Sequence, residues 1–138
     1  MNPTSFDIKD LLEDDSSLGL TYETNMFISK MTDQITVPNK CISIFDSPGF
    51  APDHGPADDS LVERPGINIQ VRGNIGEYVD TYLWAKAIRD FLKAADKHNN
   101  EVNYTQYIGI WSTGDPIFLG YDETLRPLFS LNFNIMRS

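Results

Sequence analysis

Two segments of the chain alternate strictly between apolar and polar residues. In "GINIQVRG" (66–73), Ile67, Ile69 and Val71 fall on one side and Asn68, Gln70 and Arg72 on the other. In "LFSLNFNIM" (128–136), Phe129, Leu131, Phe133 and Ile135 alternate with Ser130, Asn132 and Asn134. A period of two predicts strands with one buried face and one wet or contact-making face. Between them the period changes. Trp84, Ala87, Ile88, Phe91, Leu92 and Ala95 form an apolar stripe of helical spacing, which predicts a helix over 76–97. Asn74 and Glu77 have capping-box spacing at its start, with asparagine in place of serine or threonine. Lys93, Lys97 and His98 fall in its last turn, where positive charge suits the helix dipole. A shorter helix over 5–15 follows from Ile8, Leu11 and Leu12, with Thr4 or Ser5 as its cap.

Weaker patterns complete the layout. "TNMFIS" (24–29) and "CISIF" (41–45) read as strands, the second bounded by Pro38 and by Pro48-Gly49. Residues 47–65 hold Pro48, Pro52, Pro56 and Pro65 with Gly49 and Gly55, and predict a long loop. The segments 104–112, 117–121 and 128–136 read as a three-strand meander with turns at Thr113–Asp115 and "DETLRP". The expected fold is α+β. It has a mostly antiparallel or mixed sheet of about four to six strands, one long helix (76–97) on one face and a short N-terminal helix. With 138 residues and no internal repeat, residues 1–138 are expected to form a single domain.

Charge narrows the function. Residues 1–63 carry twelve acids and three bases, whereas 64–138 carry eight of each, so the whole net charge of −9 lies in the first half. That sign disfavours gripping nucleic acid or an anionic membrane. It suits a basic partner, repulsion of passing DNA, or plain solubility. No stretch reaches the ~18 apolar residues of a membrane span. "MNPTSFDIKDLLEDD" lacks the basic and apolar regions of a signal peptide, so a soluble, cytosolic chain is expected. The one cysteine, Cys41, lies in an apolar run and reads as a buried thiol.

The search for chemistry centres on "IFDSPGFAPDHGPADD" (44–59). Asp53, His54, Asp58 and Asp59 are able ligands, but their spacing matches no EF-hand or zinc pattern. Partner contact, with Phe50 as an apolar anchor, is the preferred reading. A small metal-dependent hydrolase using this loop stays open as an alternative. His54 and His98 have no nucleophile in a triad pattern, and Gly73 and Gly76 complete no phosphate loop. Asp115, Asp122, Glu123 and Arg126 offer either an acid–base group or a surface salt bridge. Tyr104 and Tyr107 are expected on opposite strand faces, one of them exposed.

Taken together, "FDIKDLLEDDSSLGLTYETNMFISK", "CISIFDSPGFAP", "GINIQVRG" and "RPLFSLNFNIMRS" resemble the minor capsid or tail terminator proteins of long-tailed bacteriophages, over about residues 6–137. The resemblance implies an α/β structural protein without catalytic residues or cofactor. It would assemble as a ring, typically hexameric, on the tail tube at the head-proximal end of the virion, after a period in the host cytoplasm. It would stop tube growth and meet the head connector. A neck or head-completion subunit is the neighbouring alternative. On this reading Phe50, Asp53, His54, Asp58 and Asp59 are candidate interface residues. Glu13, Asp14, Asp15, Asp46 and Glu63 are candidates for an acidic lumen through which DNA slides without specific binding.

Overall fold

The alternating segments become adjacent central strands of one sheet. The structure, a computed structural model, describes residues 1–31, 34, 36–54, 61–94 and 99–138, with 50–54 and 61 described by backbone alone. Among the described residues the order is α1 (Thr4–Glu13), β1 (Met26–Ile28), β2 (Cys41–His54), β3 (Leu61–Arg72), α2 (Tyr78–Leu92), β4 (Asn100–Val102), β5 (Thr105–Ser112), β6 (Ile117–Tyr121) and β7 (Pro127–Arg137). The seven-stranded sheet runs β1-β2-β3-β7-β5-β4, with β6 also paired to β7. It is mixed: β1 and β2 are parallel and the other pairs antiparallel.

Register explains the core. Ile42, Val71 and Phe129 stand in one row across β2, β3 and β7, and Ile44, Ile69 and Leu131 in the next. Their shared face is covered by Ile8, Leu11 and Leu12 of α1 and by Ala85, Ile88 and Leu92 of α2. On the other face Asn68 donates through Nδ2 to Ser130 Oγ (2.6 Å) and Asn132 Oδ1 (2.9 Å). Burial on one side only is what the period of two encodes.

Several expectations change. The long helix is shorter than 76–97, spanning Tyr78–Leu92. Its buried face is Thr81, Ala85, Ile88, Arg89 and Leu92, while Trp84 and Phe91 pack at the core's flank and Ala87 is exposed. Ala95, Lys97 and His98 lie outside the described residues. The capping box does not form. Gly76 turns the chain at φ +74, so the helix starts after Glu77, and Asn74 Nδ2 only reaches Glu77 Oε2 at 3.2 Å. In α1 neither Thr4 nor Ser5 is the cap. A carboxylate from β2 takes that role: Asp46 accepts from Ser5 N (2.9 Å) and Ser5 Oγ (2.6 Å). Asp46→Ala is therefore expected to cost about 1 kcal/mol, as lost N-caps do, measured by urea unfolding.

The predicted loop 47–65 is largely a hairpin. β2 continues to His54 and β3 starts at Leu61, with Ser47 opposite Gly66, Phe50 opposite Arg64 and Asp53 opposite Val62. The register shifts between Ser47 and Phe50 and again between Phe50 and Asp53. Pro48 and Pro52 sit inside those two irregularities, where a missing N–H removes no regular ladder bond. The meander is also corrected. β5 and β6 do not pair with each other; both lie along one edge of β7, β6 against Pro127–Ser130 and β5 against Phe133–Arg137. At eleven residues β7 is long enough to hold both.

Candidate assembly surface

The proline-rich interface candidates lie on the β2–β3 hairpin. Phe50, Asp53 and His54 have strand backbone in β2, and Asp58 and Asp59 fall outside the described residues. Among the described residues no group of three His, Cys, Asp or Glu side chains is placed to hold a metal.

Among the acidic candidates, Glu13, Asp15, Asp46 and Glu63 accept hydrogen bonds. Glu13 Oε2 accepts from Tyr22 N at 2.7 Å, fixing the chain after α1. Asp15 Oδ1 accepts from Ser17 N and Ser17 Oγ at 2.9 and 2.7 Å. Asp14 is exposed at the C-cap of α1. Asp46 caps the start of the same helix, and Glu63 Oε2 accepts from Arg137 Nη2 at 3.4 Å. The ten residues of α1 separate Asp46 from the Glu13–Asp15 group by about 15 Å, so the fold makes two acidic ends rather than one patch.

Asp115, Asp122, Glu123 and Arg126 do not converge as an acid–base site. Asp115 pairs with Arg89 on α2, whereas Asp122 organises its own turn. Asp122 Oδ1 accepts from Arg126 N (2.9 Å) and from Thr124 N and Oγ1 (both 3.0 Å), and Oδ2 accepts from Arg126 Nε (2.7 Å). Burial pushes the Asp122 carboxyl up, but the hydrogen bonds from Arg126 and Thr124 outweigh it and hold the group below its ordinary value. A carboxyl lowered in the fold stabilises it fully above the unfolded pKa of about 3.9 and loses that stabilisation as pH falls through the folded value. Asp122→Asn is thus expected to destabilise the protein at pH 7, with the gap to wild type closing below about pH 4 in acid unfolding curves.

Arg89 is buried beneath the β5–β6 turn. The hydrogen bond to Asp115 raises its guanidinium pKa, against the opposing effect of burial. Tyr107 is buried and Tyr104 is 98% exposed; the latter stands in the turn before β5 rather than on the strand. Trp111, half exposed, lies over Gly109, whose missing Cβ leaves room for the indole.

The feature that sequence reasoning missed is apolar. Ile75, Tyr78, Val79 and Leu83, before and along the first half of α2, are exposed. So are Ile117, Phe118, Leu119 and Tyr121 of β6, and Leu125 after it. Aromatic contacts join the two groups: the Tyr78 and Phe118 rings lie 5.0 Å apart, and Phe118 and Tyr121 5.3 Å apart. Phe118 also reaches core Phe129 at 5.3 Å, so the surface continues the core outward. The available signal was "IFL" in a five-residue strand together with Val79 and Leu83 lying off the helix's buried stripe.

Comparison with known proteins places the fold. No curated protein matches the chain. Among solved structures it is similar to a chain of "Virion of native gene transfer agent (GTA) particle", at 13% identity and a TM-score of 0.71, over 98% of this chain and 94% of that one. At that identity the likeness shows a shared fold. The family model for bacteriophage tail terminator protein matches residues 12–137. With its helices, its mixed sheet and nearly its whole length inside that match, the chain belongs to the bacteriophage tail terminator family.

Proposed function

We propose that this protein is the structural subunit that caps the tail tube, ends its polymerisation and forms part of the head–tail joining surface. Family membership over residues 12–137 carries the reading. In this role it sits at the head-proximal end of the virion tail, having assembled in the host cytoplasm. It works as a homo-oligomeric ring, hexameric, between tail tube protein and head connector protein. The exposed apolar side chains of α2 and β6 suit a protein that acts by contact.

The net charge of −9 serves the same role, since an acidic channel lets DNA slide without holding it. Glu13, Asp14, Asp15, Asp46 and Glu63 are the proposed lumen residues. Of these, Glu13, Asp14 and Asp46 are exposed to solvent. A ring with those carboxylates all on its outer wall would reject the lumen assignment. The β2–β3 hairpin, with Phe50, Asp53, His54, Asp58 and Asp59, is the proposed contact to a neighbouring subunit or the tube.

Electron microscopy of tails made with and without the protein tests the function. Overlong tubes in its absence identify a terminator. Tails of normal length that fail to join heads would instead mark a neck or head-completion subunit.

A further inference from the structure

We propose that the cavity between the second half of α2 and the β5–β6 turn binds an acidic side chain from an extended segment of a partner protein, with Arg89 as its anchor. The inference goes beyond the tail-capping reading, because it names a ligand chemistry that holds whichever protein supplies the segment.

The cavity has a volume of about 460 Å³, and its lining includes Arg89, Lys93, Ile110, Trp111, Ser112 and Asp115. That size lies within the ~300–1,000 Å³ usual for ligand sites. Trp111 also lines a second cavity of about 230 Å³, with Arg64, Asn134 and Met136, so the depression continues past the indole. Such a path suits a segment that runs through it rather than a chain end that stops in it. Ile110 and the half-exposed Trp111 supply apolar contact beside the cation. Tryptophan and arginine are the side chains that most often dominate the energy of protein contacts.

Charge selects the ligand. The chain carries −9 overall, yet the two linings hold three bases, Arg64, Arg89 and Lys93, and one acid, Asp115. Asp90, next to Arg89 on α2, brings the local count to three bases and two acids. A negatively charged segment is complementary to that lining.

The bonding of Arg89 leaves a better arrangement available. Its side chain is only 9% exposed, whereas its carboxylate partners face solvent, Asp90 at 50% and Asp115 at 78%. Nε and Nη2 both donate to one oxygen, Asp90 Oδ1, at 3.2 Å, and Lys93 Nζ lies 3.7 Å from the same oxygen. Nη1 donates to Asp115 Oδ1 at 2.5 Å. Neither aspartate gives both oxygens to the guanidinium, the two-pronged pairing in which arginine and carboxylate bind most strongly. Asp115 is the exchangeable partner, since an ion pair with so exposed a group holds weakly. Gly114 before it has φ +145, with open space where a Cβ would stand. The turn is pinned ahead of Asp115, where Ser112 Oγ donates to Gly114 O (2.8 Å) and Thr113 N to Asn132 O (3.0 Å). Among the described residues the Asp115 carboxylate accepts from Arg89 alone. It can therefore swing out while an incoming carboxylate takes its place with both oxygens.

The test is an NMR titration of the full-length protein with acetyl-Leu-Glu-Leu-Glu-amide, read at the Arg89 Nε–H and Trp111 indole N–H signals. The expected result is a saturable shift of both signals with a Kd of about 1 mM, and no shift from the matched Leu-Gln peptide. Asp115→Ala should tighten the Glu peptide at least threefold, because it removes the competing carboxylate. Lys93→Glu should weaken it at least threefold. Both replaced side chains are exposed, so the rest of the spectrum should stay that of the folded protein. A purely structural Asp115 predicts the opposite sign, with binding weaker or unchanged in Asp115→Ala, and that outcome would overturn the proposal. So would equal shifts from the Gln peptide, from inorganic phosphate or from acetyl-Ala-Leu with a free terminal carboxylate, or no shift at ~20 mM Glu peptide.

Discussion

Replacing Arg137 by methionine is expected to destabilise the fold by about 3–5 kcal/mol, the usual consequence of removing one partner from a buried charge cluster. For a chain of this length that lowers the melting temperature by about 10–15 °C. Arg137 is nearly buried near the end of β7 and binds four separate parts of the chain. Nη1 donates to Asn2 O at 2.9 Å and to the Tyr107 hydroxyl at 3.3 Å, and lies 3.9 Å from Asp7 Oδ2; Nη2 lies 3.4 Å from Glu63 Oε2. Asp7 is fully buried and also accepts from the Tyr107 hydroxyl and from Asn103 Nδ2. Burial, then the hydrogen bond to Asp7, pushes the Tyr107 phenol well above its ordinary pKa, so that group stays a neutral donor at any working pH.

Methionine would fill the space of the arginine stem but leave the Asp7 carboxylate buried without its cation. Arg137 Nε is itself buried without a hydrogen-bond partner, so the guanidinium is only partly satisfied even in the wild type. Adding Asp7→Asn to Arg137→Met should recover part of the loss, because it removes the stranded charge. Urea unfolding of the wild type and the two variants reads both effects. A single-variant loss under about 1 kcal/mol would show that the cluster does not clamp α1, β3, β5 and β7 together.

The parts of this architecture that were legible are those fixed by local period. Ile67, Ile69, Val71 and the Phe129–Ile135 series stand on the buried face because a strand packed on one side cannot place them otherwise. The parts that were not legible depend on distant partners. The α1 cap comes from Asp46, 41 residues beyond Ser5, and Glu63 meets Arg137 74 residues away. No spacing within either segment announces those pairings. The hairpin was hidden by its prolines, which normally break a ladder and here occupy its irregularities. The β6 surface was hidden for the opposite reason. A short apolar strand reads as core, and only its position at a sheet edge shows that it faces outward.

Gly49→Val is expected to leave the core folded and abolish tail termination. Gly49 has φ +62 and lies in the first irregularity of the β2–β3 hairpin, between Ser47 and Phe50. A Cβ built there would stand 2.2 Å from Arg64 O, 2.6 Å from Gly66 N and 2.6 Å from Pro65 C. All three are backbone atoms, so no side chain can swing aside, and a β-branched residue at positive φ is itself an outlier. The two strands must separate beyond Ser47 and Gly66. The rows from Cys41 to Asp46 remain, because their register partners on β3 and the core beneath them are untouched. Limited proteolysis should gain a cut between residues 48 and 65, while the melting transition survives with a drop of a few degrees. If the hairpin carries the contact to the neighbouring subunit or the tube, this variant produces overlong tails, as does deletion of residues 50–60. Tails of normal length made by a variant whose hairpin is cleaved would remove the hairpin from the mechanism of termination.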